Sequence, residues 1–421
     1  MNQKKVIELA LEGHNIFLTG QAGTGKTYTL KKIINEFKKK KKSVAVTAST
    51  GVASTHLNGT TIHSWSGAGI KDKFILDDFY KIKNNKYSFK RIFNTDVLII
   101  DEISMIQSHV LDLIEEICRF IKNPDKIFGG IQIILCGDFF QLPPVSKNKK
   151  NYCFNSQAWQ ILNLKICYLN KVYRQQNDLK FIEILNSIRN NSIKDEHKEI
   201  LSSLSKNKKN KKNAINLYCK NINVDIENKT ELNKMKEEVF ILKNKTSGID
   251  FKIKSLQKNI LAEETLLLKK NSKIMLLVNN FKKNYRNGTL CKIINFDELE
   301  DEKIIVETLN DKRRIEIEPY TWKIEEYDPA LKNNKQVASI SQYPIKLAWA
   351  ITVHKSQGSS FDFVNLDLSD VFIENMGYVA LSRVTSLDGL YLKDFNEKSF
   401  KIDEKILKID KFFQKESKKN E

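Results

Sequence analysis

The segment Gly20–Thr27 constrains the fold of this chain more than any other part of its sequence. It reads Gly-Gln-Ala-Gly-Thr-Gly-Lys-Thr and matches the pattern G-x-x-x-x-G-K-[ST]. The apolar run Asn15–Thr19 precedes it and an amphipathic segment over 26–38 follows it, which predicts a buried strand, a tight loop and a helix. In that setting the N–H groups of the loop and the helix N-terminus favour a bound phosphate.

The residues of this loop are the predicted nucleotide-binding residues. They are Gly20, Gln21, Ala22, Gly23, Thr24, Gly25, Lys26 and Thr27. Lys26 is expected to reach the β- and γ-phosphates of a nucleoside triphosphate, and the Thr27 hydroxyl is expected to bind Mg²⁺. The alternative is an ordinary glycine-rich turn, which needs neither the strand nor the helix.

Two acidic residues follow a second apolar run. Val97–Ile100 leads into Asp101 and Glu102, which places both carboxylates at the end of a predicted strand. Asp101 is expected to bind Mg²⁺, and Glu102 is expected to act as the general base for in-line attack by water. The alternative is a pair of solvated residues at a sheet edge, which is common for isolated acidic pairs.

Three further residues are candidates for the reaction at the γ-phosphate. The apolar run Ile131–Cys136 leads towards Gln141, which is expected to hydrogen-bond the γ-phosphate or the attacking water. Arg174 and Arg383 are candidate cations for the negative charge that develops during hydrolysis. From the residues alone, Gln141 also fits a loop residue before two prolines, and each arginine also fits a surface ion pair.

The chain alternates between short apolar runs and amphipathic segments. This alternation predicts an α/β protein with parallel sheets covered on both faces. Two blocks, about 1–172 and 173–421, each contain their own strands. Short strands with turn signals between Gly248 and Tyr343 predict a small β-rich insertion, and the lysine- and aromatic-rich stretch Lys71–Asn94 interrupts the first block.

Composition narrows the class of partner and the compartment. The 421 residues include 70 Lys and Arg and 51 Asp and Glu, a formal net charge of +19. This excess favours a polyanionic partner, although biased use of Lys and Asn explains it equally well. No run approaches the ~20 apolar residues of a bilayer span, and no signal-peptide pattern begins the chain. The six cysteines lack a C-x-x-C pair, so buried reduced thiols in a soluble, intracellular protein are expected.

The motifs as an ordered set resemble those of superfamily 1 DNA helicases. The likeness is greatest to the 5′→3′ RecD-like branch, which contains the petite-integration-frequency (Pif) family, and it extends over about residues 3–395. The segments that carry it are Gly20–Thr27, Thr47–Ser54, Thr61–Ser64, Leu98–Met105, Gly137–Val145, Tyr173–Gln175, Ala348–Gly358 and Tyr378–Arg383. The segments 137–145 and 348–358 are the most specific to the family.

The resemblance implies two RecA-like P-loop parallel-sheet domains, a small inserted wedge element and an SH3-like β-barrel insertion. The first domain would cover 1–172, with the wedge at about 66–94. The second would cover 173–249 and 346–421, and the SH3-like insertion 250–345.

The resemblance also implies the ligands of the cleft between the two domains. ATP and Mg²⁺ would bind there, and the second domain would contribute Arg174 and Arg383 to the γ-phosphate. Gln3, upstream of the loop, resembles the glutamine that reads adenine in this group.

A motor of this kind must tolerate any base sequence, so it should hold one DNA strand by phosphate contacts and stacking. The candidate DNA-binding residues are Thr50, Gly51, His63, His354, Lys355 and Gln357. His63 and His354 also fit structural histidines, and the stretch Lys71–Asn94 also fits a loop whose aromatic residues dock on the domain.

The sequence departs from the family pattern in three places. Ser49 stands where family members usually have Pro, and Ser54 where they usually have Ala. The segment Leu217–Asn221 replaces a usual Thr-Asn-containing segment near the DNA path with one that contains Cys-Lys-Asn.

The function implied by the resemblance is an ATP-dependent DNA helicase whose ATP hydrolysis is stimulated by DNA. It would translocate 5′→3′ on single-stranded DNA and unwind duplexes at single-strand/double-strand junctions for repair, recombination, replication or telomere maintenance. We expect a monomer without membrane contact, in the cytoplasm or nucleoid if prokaryotic or viral and in the nucleus or mitochondrion if eukaryotic. The alternatives are a DNA-stimulated P-loop ATPase or remodelling subunit of a larger complex, a binding module without catalysis, and a nuclease-coupled subunit.

Overall fold

The computed structural model describes the chain except for residues 51–53, 55–56, 58, 70–73, 145–150, 177, 207–213, 279, 281, 284, 286, 298–302, 310 and 329–332. The chain divides into two compact units. Unit 1 comprises Met1–Arg174, Glu326–Lys335 and Asp403–Glu421, and unit 2 comprises Gln175–Glu325 and Gln336–Ile402.

Unit 1 is built around a parallel sheet. Its strands are β1 Ile16–Gly20, β2 Val44–Ala48, β3 Thr60–Thr61, β4 Val97–Asp101, β5 Gln132–Cys136 and β6 Lys165–Leu169. They lie in the order β3-β2-β4-β5-β1-β6, and every neighbouring pair is parallel. The helices up to the end of β6 are α1 Gln3–Leu11, α2 Lys26–Lys39, α3 Ile62–Ser66, α4 Leu76–Asn84, α5 Lys86–Phe93, α6 Ser108–Ile121 and α7 Gln157–Ile161.

The helices cover this sheet with the apolar stripes that their sequences predict. In α2 the buried positions follow the predicted i, i+3, i+4, i+7 spacing: Leu30, Ile33, Ile34 and Phe37. In α6, Ile114, Ile117 and Ile121 repeat at the same kind of spacing and are buried, whereas Val110 is half-buried and its neighbour Leu111 takes the core position.

The aromatic stretch before β4 folds into α4 and α5. Phe79 and Tyr80 of α4 both contact Phe120 of α6, with ring centroids 5.5 and 5.3 Å apart. Arg91 of α5 donates a hydrogen bond of 2.8 Å from Nε to the Trp65 carbonyl. Part of the aromatic set therefore packs on unit 1, as the second interpretation expected, but from two helices and not from a loop.

The chain beyond residue 174 adds many strands. They are β7 Ile215–Tyr218, β8 Val239–Lys243, β9 Lys245–Gly248, β10 Thr265–Lys269, β11 Lys273–Leu276, β12 Leu290–Asp297, β13 Lys303–Thr308, β14 Arg314–Ile317, β15 Tyr320–Asp328, β16 Asn333–Gln342, β17 Ile345–Leu347, β18 Ala350–Thr352, β19 Val364–Leu368 and β20 Leu390–Phe395. The helices of unit 2 are α8 Leu179–Arg189, α9 Asp195–Ser203, α10 Asn221–Lys234, α11 Asp250–Asn259 and α12 Met376–Leu381.

Unit 2 contains a second parallel sheet and, between two of its strands, a β-rich insertion. The parallel sheet has the order β18-β7-β19-β20, so the prediction of two parallel-sheet α/β domains is confirmed. The insertion forms sheets in the orders β14-β13-β12-β11-β17, β15-β16-β9 and β10-β8. Its strands extend from Val239 to Leu347, slightly beyond the predicted bounds of 250–345.

The C-terminal segment returns from unit 2 to unit 1. After Ile402 the chain forms α13 Glu404–Lys419, which packs against β6. The sequence assigned all of 346–421 to the second domain, whereas the contacts assign Asp403–Glu421 to unit 1. Buried polar groups hold the helix there, since Tyr168 donates from its hydroxyl to the Asp410 carboxylate at 3.3 Å and from its N–H to Ser417 Oγ at 2.9 Å. An apolar pattern carries no information about such bonds.

Two expectations from composition can be compared with the structure. All six cysteines are buried free thiols, as expected. Burial raises the pKa of the Cys167 thiol to about 12, so it stays protonated at neutral pH. In the part of the chain that is described, no helix is both long enough and apolar enough to cross a membrane.

Candidate active site

The predicted nucleotide-binding loop joins β1 to α2. Gly20, Gly23 and Gly25 have φ angles of 142°, 84° and 85°. A Cβ on Gly25 would lie 2.5 Å from Gln3 Nε2, and one on Gly20 would lie 2.5 Å from the Leu169 carbonyl oxygen. Gly20 is required because a Cβ there would meet backbone, and Gly25 is favoured because its positive φ is strained for other residues.

The side chains of the loop are arranged around its backbone. Lys26 Nζ donates hydrogen bonds to the carbonyl oxygens of Gly20 at 2.9 Å and Gln21 at 3.0 Å. Thr27 lies exposed in the first turn of α2, and Ala22 is buried. A triphosphate offers Lys26 charged acceptors, which form stronger hydrogen bonds than these neutral carbonyls.

The two acidic residues lie at the end of β4, as predicted. Asp101 is buried, and its Oδ1 accepts a 2.9 Å hydrogen bond from the Glu102 N–H. Burial raises the pKa of the Asp101 carboxyl, while hydrogen bonds from the Cys136 thiol and the Glu102 N–H, together with the charge on Lys26, act in the opposite direction. Glu102 has φ 50°, an uncommon backbone conformation for a non-glycine residue, where the chain turns away from the strand.

Gln141 follows the neighbouring strand. The turn after β5 begins with a 3.1 Å hydrogen bond from the Gly137 N–H to the Leu18 carbonyl, and the Gln141 N–H donates to the Asp138 carbonyl at 2.9 Å. Gln141 is buried, at 4% exposure. Because β4, β5 and β1 are adjacent and parallel, their carboxyl ends share one sheet edge. The structure thus places the P-loop, the acidic pair and Gln141 on one edge.

The oxygen donors at this edge fit Mg²⁺. Within the described residues, no cluster of three or more His, Cys, Asp or Glu could hold a metal by itself. Mg²⁺ in phosphate-transfer sites is bound by one or two protein oxygens together with phosphate oxygens and water. The Thr27 hydroxyl and the Asp101 carboxylate supply two such oxygens. A metal cation bound beside Asp101 would favour its charged form, which burial disfavours.

A cavity of about 540 Å³ lies beside the loop. Gln3, Thr24 and Tyr173 are among the residues that line it. Gln3 Nε2 donates to the Thr24 carbonyl at 3.4 Å, and the Tyr173 N–H donates to the Gly23 carbonyl at 2.9 Å. The predicted adenine-reading residue therefore contacts the P-loop. Tyr173 had no predicted role of its own, and its half-exposed ring, which lines the same cavity as Gln3, is suited to stacking on a base.

Arg174 belongs to the unit that contains the P-loop, and not to the second unit as the sequence suggested. It is half-buried and directly follows Tyr173, whose N–H bonds the loop. The contacts assign Arg174 to unit 1, one residue before the chain enters unit 2 at Gln175. The predicted start of the second domain was residue 173. The two boundaries differ because Tyr173 is joined to Gly23 by a backbone hydrogen bond, and such a bond cannot be predicted from side-chain patterns.

Arg383 is buried inside unit 2, at 2% exposure. Its Nε donates to the Val379 carbonyl and its Nη2 to Ser382 Oγ, both at 3.0 Å. Gln175 Nε2 donates to the carbonyls on either side of this arginine, at 3.3 Å to Ser382 and 2.8 Å to Val384. Gln175 thus holds the backbone of the candidate arginine, a role that its place beside Arg174 did not reveal.

The candidate DNA-binding residues of unit 1 follow β2 and β3. Thr50 is half-buried, and its carbonyl accepts a 3.0 Å hydrogen bond from the Ser54 N–H. Gly51 lies outside the described residues. His63 on α3 is half-buried, and burial together with the nearby His109 lowers its pKa. A neutral imidazole at physiological pH follows, which can stack or form hydrogen bonds but adds no charge.

The candidate DNA-binding residues of unit 2 follow β18. Burial lowers the pKa of His354, whose ring lies 6.4 Å from that of Phe372, and burial together with Lys346 lowers the pKa of Lys355. Gln357 Nε2 is buried, and it has no hydrogen-bond partner within the described part of the chain. Such a buried donor is costly unless an acceptor, such as a phosphate oxygen, binds it.

A P-loop after one parallel strand, an acidic pair after the strand two positions away in the same sheet, and a second parallel α/β unit together define a RecA-like P-loop ATPase. The family model described as PIF1-like helicase matches residues 1–199. The "ATP-dependent DNA helicase Pif1" of Psychrobacter sp. is 35% identical over 96% of this chain and 69% of that protein. The chain belongs to the PIF1-like helicase family.

Solved structures give the same result for the fold. A Bacteroides sp. Pif1 in complex with ADP-AlF4 has a TM-score of 0.85 at 30% identity. The alignment covers 98% of this chain and 96% of the Bacteroides chain. A Bacteroides Pif1 bound to ssDNA has a TM-score of 0.65 at 30% identity with the same coverage. The chain spans 55% to 64% of the length of the curated PIF1 relatives from Candida albicans, Saccharomyces cerevisiae, Emericella nidulans and Xenopus laevis.

Proposed function

We propose that this chain is an ATP-dependent DNA helicase that moves along single-stranded DNA in the 5′→3′ direction and separates duplex DNA. One observation carries the proposal: Lys26, the Asp101–Glu102 pair and Gln141 lie at the carboxyl ends of β1, β4 and β5 in a chain of the PIF1-like helicase family. The ATP-dependent helicase activity follows from the family, whereas the direction of movement rests on the motifs alone.

Each residue at the sheet edge has a defined task in hydrolysis. Glu102 takes the proton from a water molecule as that water attacks the γ-phosphorus, and the bond to the bridging oxygen of ADP breaks. Lys26 exchanges its bonds to two loop carbonyls for β- and γ-phosphate oxygens, and Gln141 orients the water. Mg²⁺, held through Thr27 and Asp101, would neutralise the charge between the β- and γ-phosphates.

We assign to Arg174 and Arg383 the cations that stabilise the γ-phosphate during transfer. Arg383 belongs to unit 2 and the P-loop to unit 1. Hydrolysis therefore requires the two units to be brought together by ATP, and the released products let them separate. This coupling turns each ATP into one step along the DNA.

We assign the contacts with DNA phosphates to the two candidate sets of DNA-binding residues. Thr50, Gly51 and His63 belong to unit 1, and His354, Lys355 and Gln357 to unit 2. Gln357 Nε2 is buried and has no hydrogen-bond partner among the described residues, which supports a phosphate contact in the second set. Since one chain carries both sets, a monomer is the proposed working unit, and its DNA substrate places it inside the cell.

The test is strand displacement on partial duplexes with either a 5′ or a 3′ single-stranded tail. With ATP and Mg²⁺, the 5′-tailed duplex should be unwound and the 3′-tailed one should not, and a non-hydrolysable ATP analogue should support neither reaction. Unwinding only from the 3′ tail would contradict the direction. DNA-stimulated ATP hydrolysis without unwinding of either duplex would instead identify a remodelling ATPase that needs other subunits.

A further inference from the structure

An aromatic cluster includes two residues that lie within three positions of the P-loop and of Gln141 in the sequence. We call Phe17, Phe139, Trp159 and Phe413 the aromatic floor. The Phe413 ring lies 5.0 Å from that of Phe17, 6.0 Å from that of Phe139 and 6.0 Å from that of Trp159. Phe17 and Phe139 are themselves 5.5 Å apart. These centroid separations are those at which aromatic rings attract one another.

Two members of the floor are joined to the site by very short lengths of chain. Phe17 is in β1, three residues before Gly20, and Phe139 is two residues before Gln141. Both side chains are almost fully buried, at 0% and 3% exposure. The floor therefore connects the strand that carries the P-loop to the turn that carries Gln141.

Phe413 comes from a part of the sequence that is remote from the other members of the floor. Phe413 belongs to α13, and it is 1% exposed. Polar contacts fix the helix along its length, because Asp403 at its N-terminus accepts a 3.1 Å hydrogen bond from the Tyr152 hydroxyl and Asn420 at its end donates to the Ile166 carbonyl at 3.2 Å. A side chain on an anchored helix gives its neighbours a fixed surface to pack against.

We propose that Phe413 is a positioning residue for ATP hydrolysis, which holds Phe17 and Phe139 so that Gln141 stays in register with the P-loop. The proposal rests on the proposed function, since it concerns the same ATP site. Phe413 touches no phosphate itself. Its loss leaves the loop that binds the phosphates intact but lets the β5 turn shift against it. Binding of ATP and its hydrolysis should consequently respond differently.

Three variants of the full-length chain test this role. Phe413→Ala removes the contact, and Phe413→Leu refills most of the space as the conservative variant. Phe412→Ala is the matched control, because Phe412 is the adjacent residue of the same helix and is 52% exposed. For each variant the thermal unfolding midpoint, the kcat and KM for ATP in the presence of single-stranded DNA, and the affinity for a fluorescent ADP analogue are measured, with kinetics well below the unfolding midpoint.

Phe413→Ala should lower kcat about tenfold, as expected for a small misplacement of a catalytic group, with KM and nucleotide affinity within about threefold of wild type. Phe413→Leu should recover most of the wild-type kcat, and Phe412→Ala should match wild type. A Phe413→Ala protein that unfolds at lower temperature but keeps wild-type kcat while folded would overturn the proposal. Absence of ATP hydrolysis in the wild-type chain would refute the proposed function instead.

Discussion

At the scale of single residues, the chemistry of the site depends on side chains held by their own backbone. Lys26 folds back onto two carbonyls of the loop, which hold its ammonium beside the loop backbone. Glu102 follows the strand in a left-handed conformation that few non-glycine residues adopt. Such local strain is tolerated where the surrounding structure fixes it, and it is typical of functional sites.

Replacing Lys26 tests the residue scale most directly. Lys26→Ala should lower DNA-stimulated ATP hydrolysis at least about 100-fold, because a positioned charge on the transferred phosphate is lost. Binding of a labelled single-stranded oligonucleotide, measured by anisotropy without nucleotide, should be unchanged. Lys38→Ala, which removes an exposed lysine from the last turn of the same helix, is the control. Near-normal turnover by Lys26→Ala would remove this lysine from the mechanism.

At the scale of elements, the partly buried Lys273 joins the β-rich insertion to the parallel sheet of unit 2. Lys273 begins β11, and its Nζ donates to the carbonyl oxygen of Ala214, next to β7. Its own carbonyl accepts a 2.9 Å hydrogen bond from the Ala348 N–H, two residues before β18. Burial lowers the pKa of Lys273 from 10.5 to about 8, and the charge on Glu227 acts in the opposite direction.

The lowered pKa of Lys273 predicts how the stability of unit 2 depends on pH. A lysine whose pKa is lower in the folded state destabilises that state fully below about pH 8, and the penalty disappears as pH rises towards 10.5. The free energy of unfolding of wild type relative to Lys273→Met should therefore rise by about 2 kcal/mol between pH 7 and 10. Denaturant titrations at each pH measure it. Lys270→Met, at an exposed lysine, is the control and should give a constant difference.

At the scale of the whole molecule, the excess of positive charge favours binding to a partner that carries many phosphate groups. The formal net charge of +19 comes from the entire sequence, so it describes no particular surface. Cations that contact a single strand displace the counterions condensed on it, and this makes binding weaker as salt is added.

The charge predicts a steep dependence of DNA binding on salt. With about four phosphate contacts, the affinity for single-stranded DNA should fall by about 50-fold when monovalent salt is raised from 50 to 200 mM. Anisotropy titrations of a labelled oligonucleotide without ATP measure this, and oligonucleotides of equal length but different base composition should give nearly equal slopes. A flat salt response would show that phosphate contacts do not dominate binding.

Much of the fold and of the candidate ATP site could be predicted from local patterns. The strand, glycine-rich loop and amphipathic helix around Lys26 are adjacent in the chain, so short-range rules of periodicity and backbone conformation are sufficient there. The positions of Asp101 and Gln141 after apolar runs were equally readable, because parallel strands present their carboxyl ends on one edge. The six buried thiols followed from their apolar surroundings in the same way.

Only the tertiary structure decided the contacts made over long distances in the sequence. The return of α13 to unit 1, the floor contact of Phe413 and the bonds of Gln175 around Arg383 join residues that are separated by more than 200 positions. Hydrophobic periodicity predicts that a face will be buried, but it does not predict the element that will cover it. The partners of backbone and buried polar hydrogen bonds cannot be predicted from composition. Those partners are chosen by the packing of the whole chain.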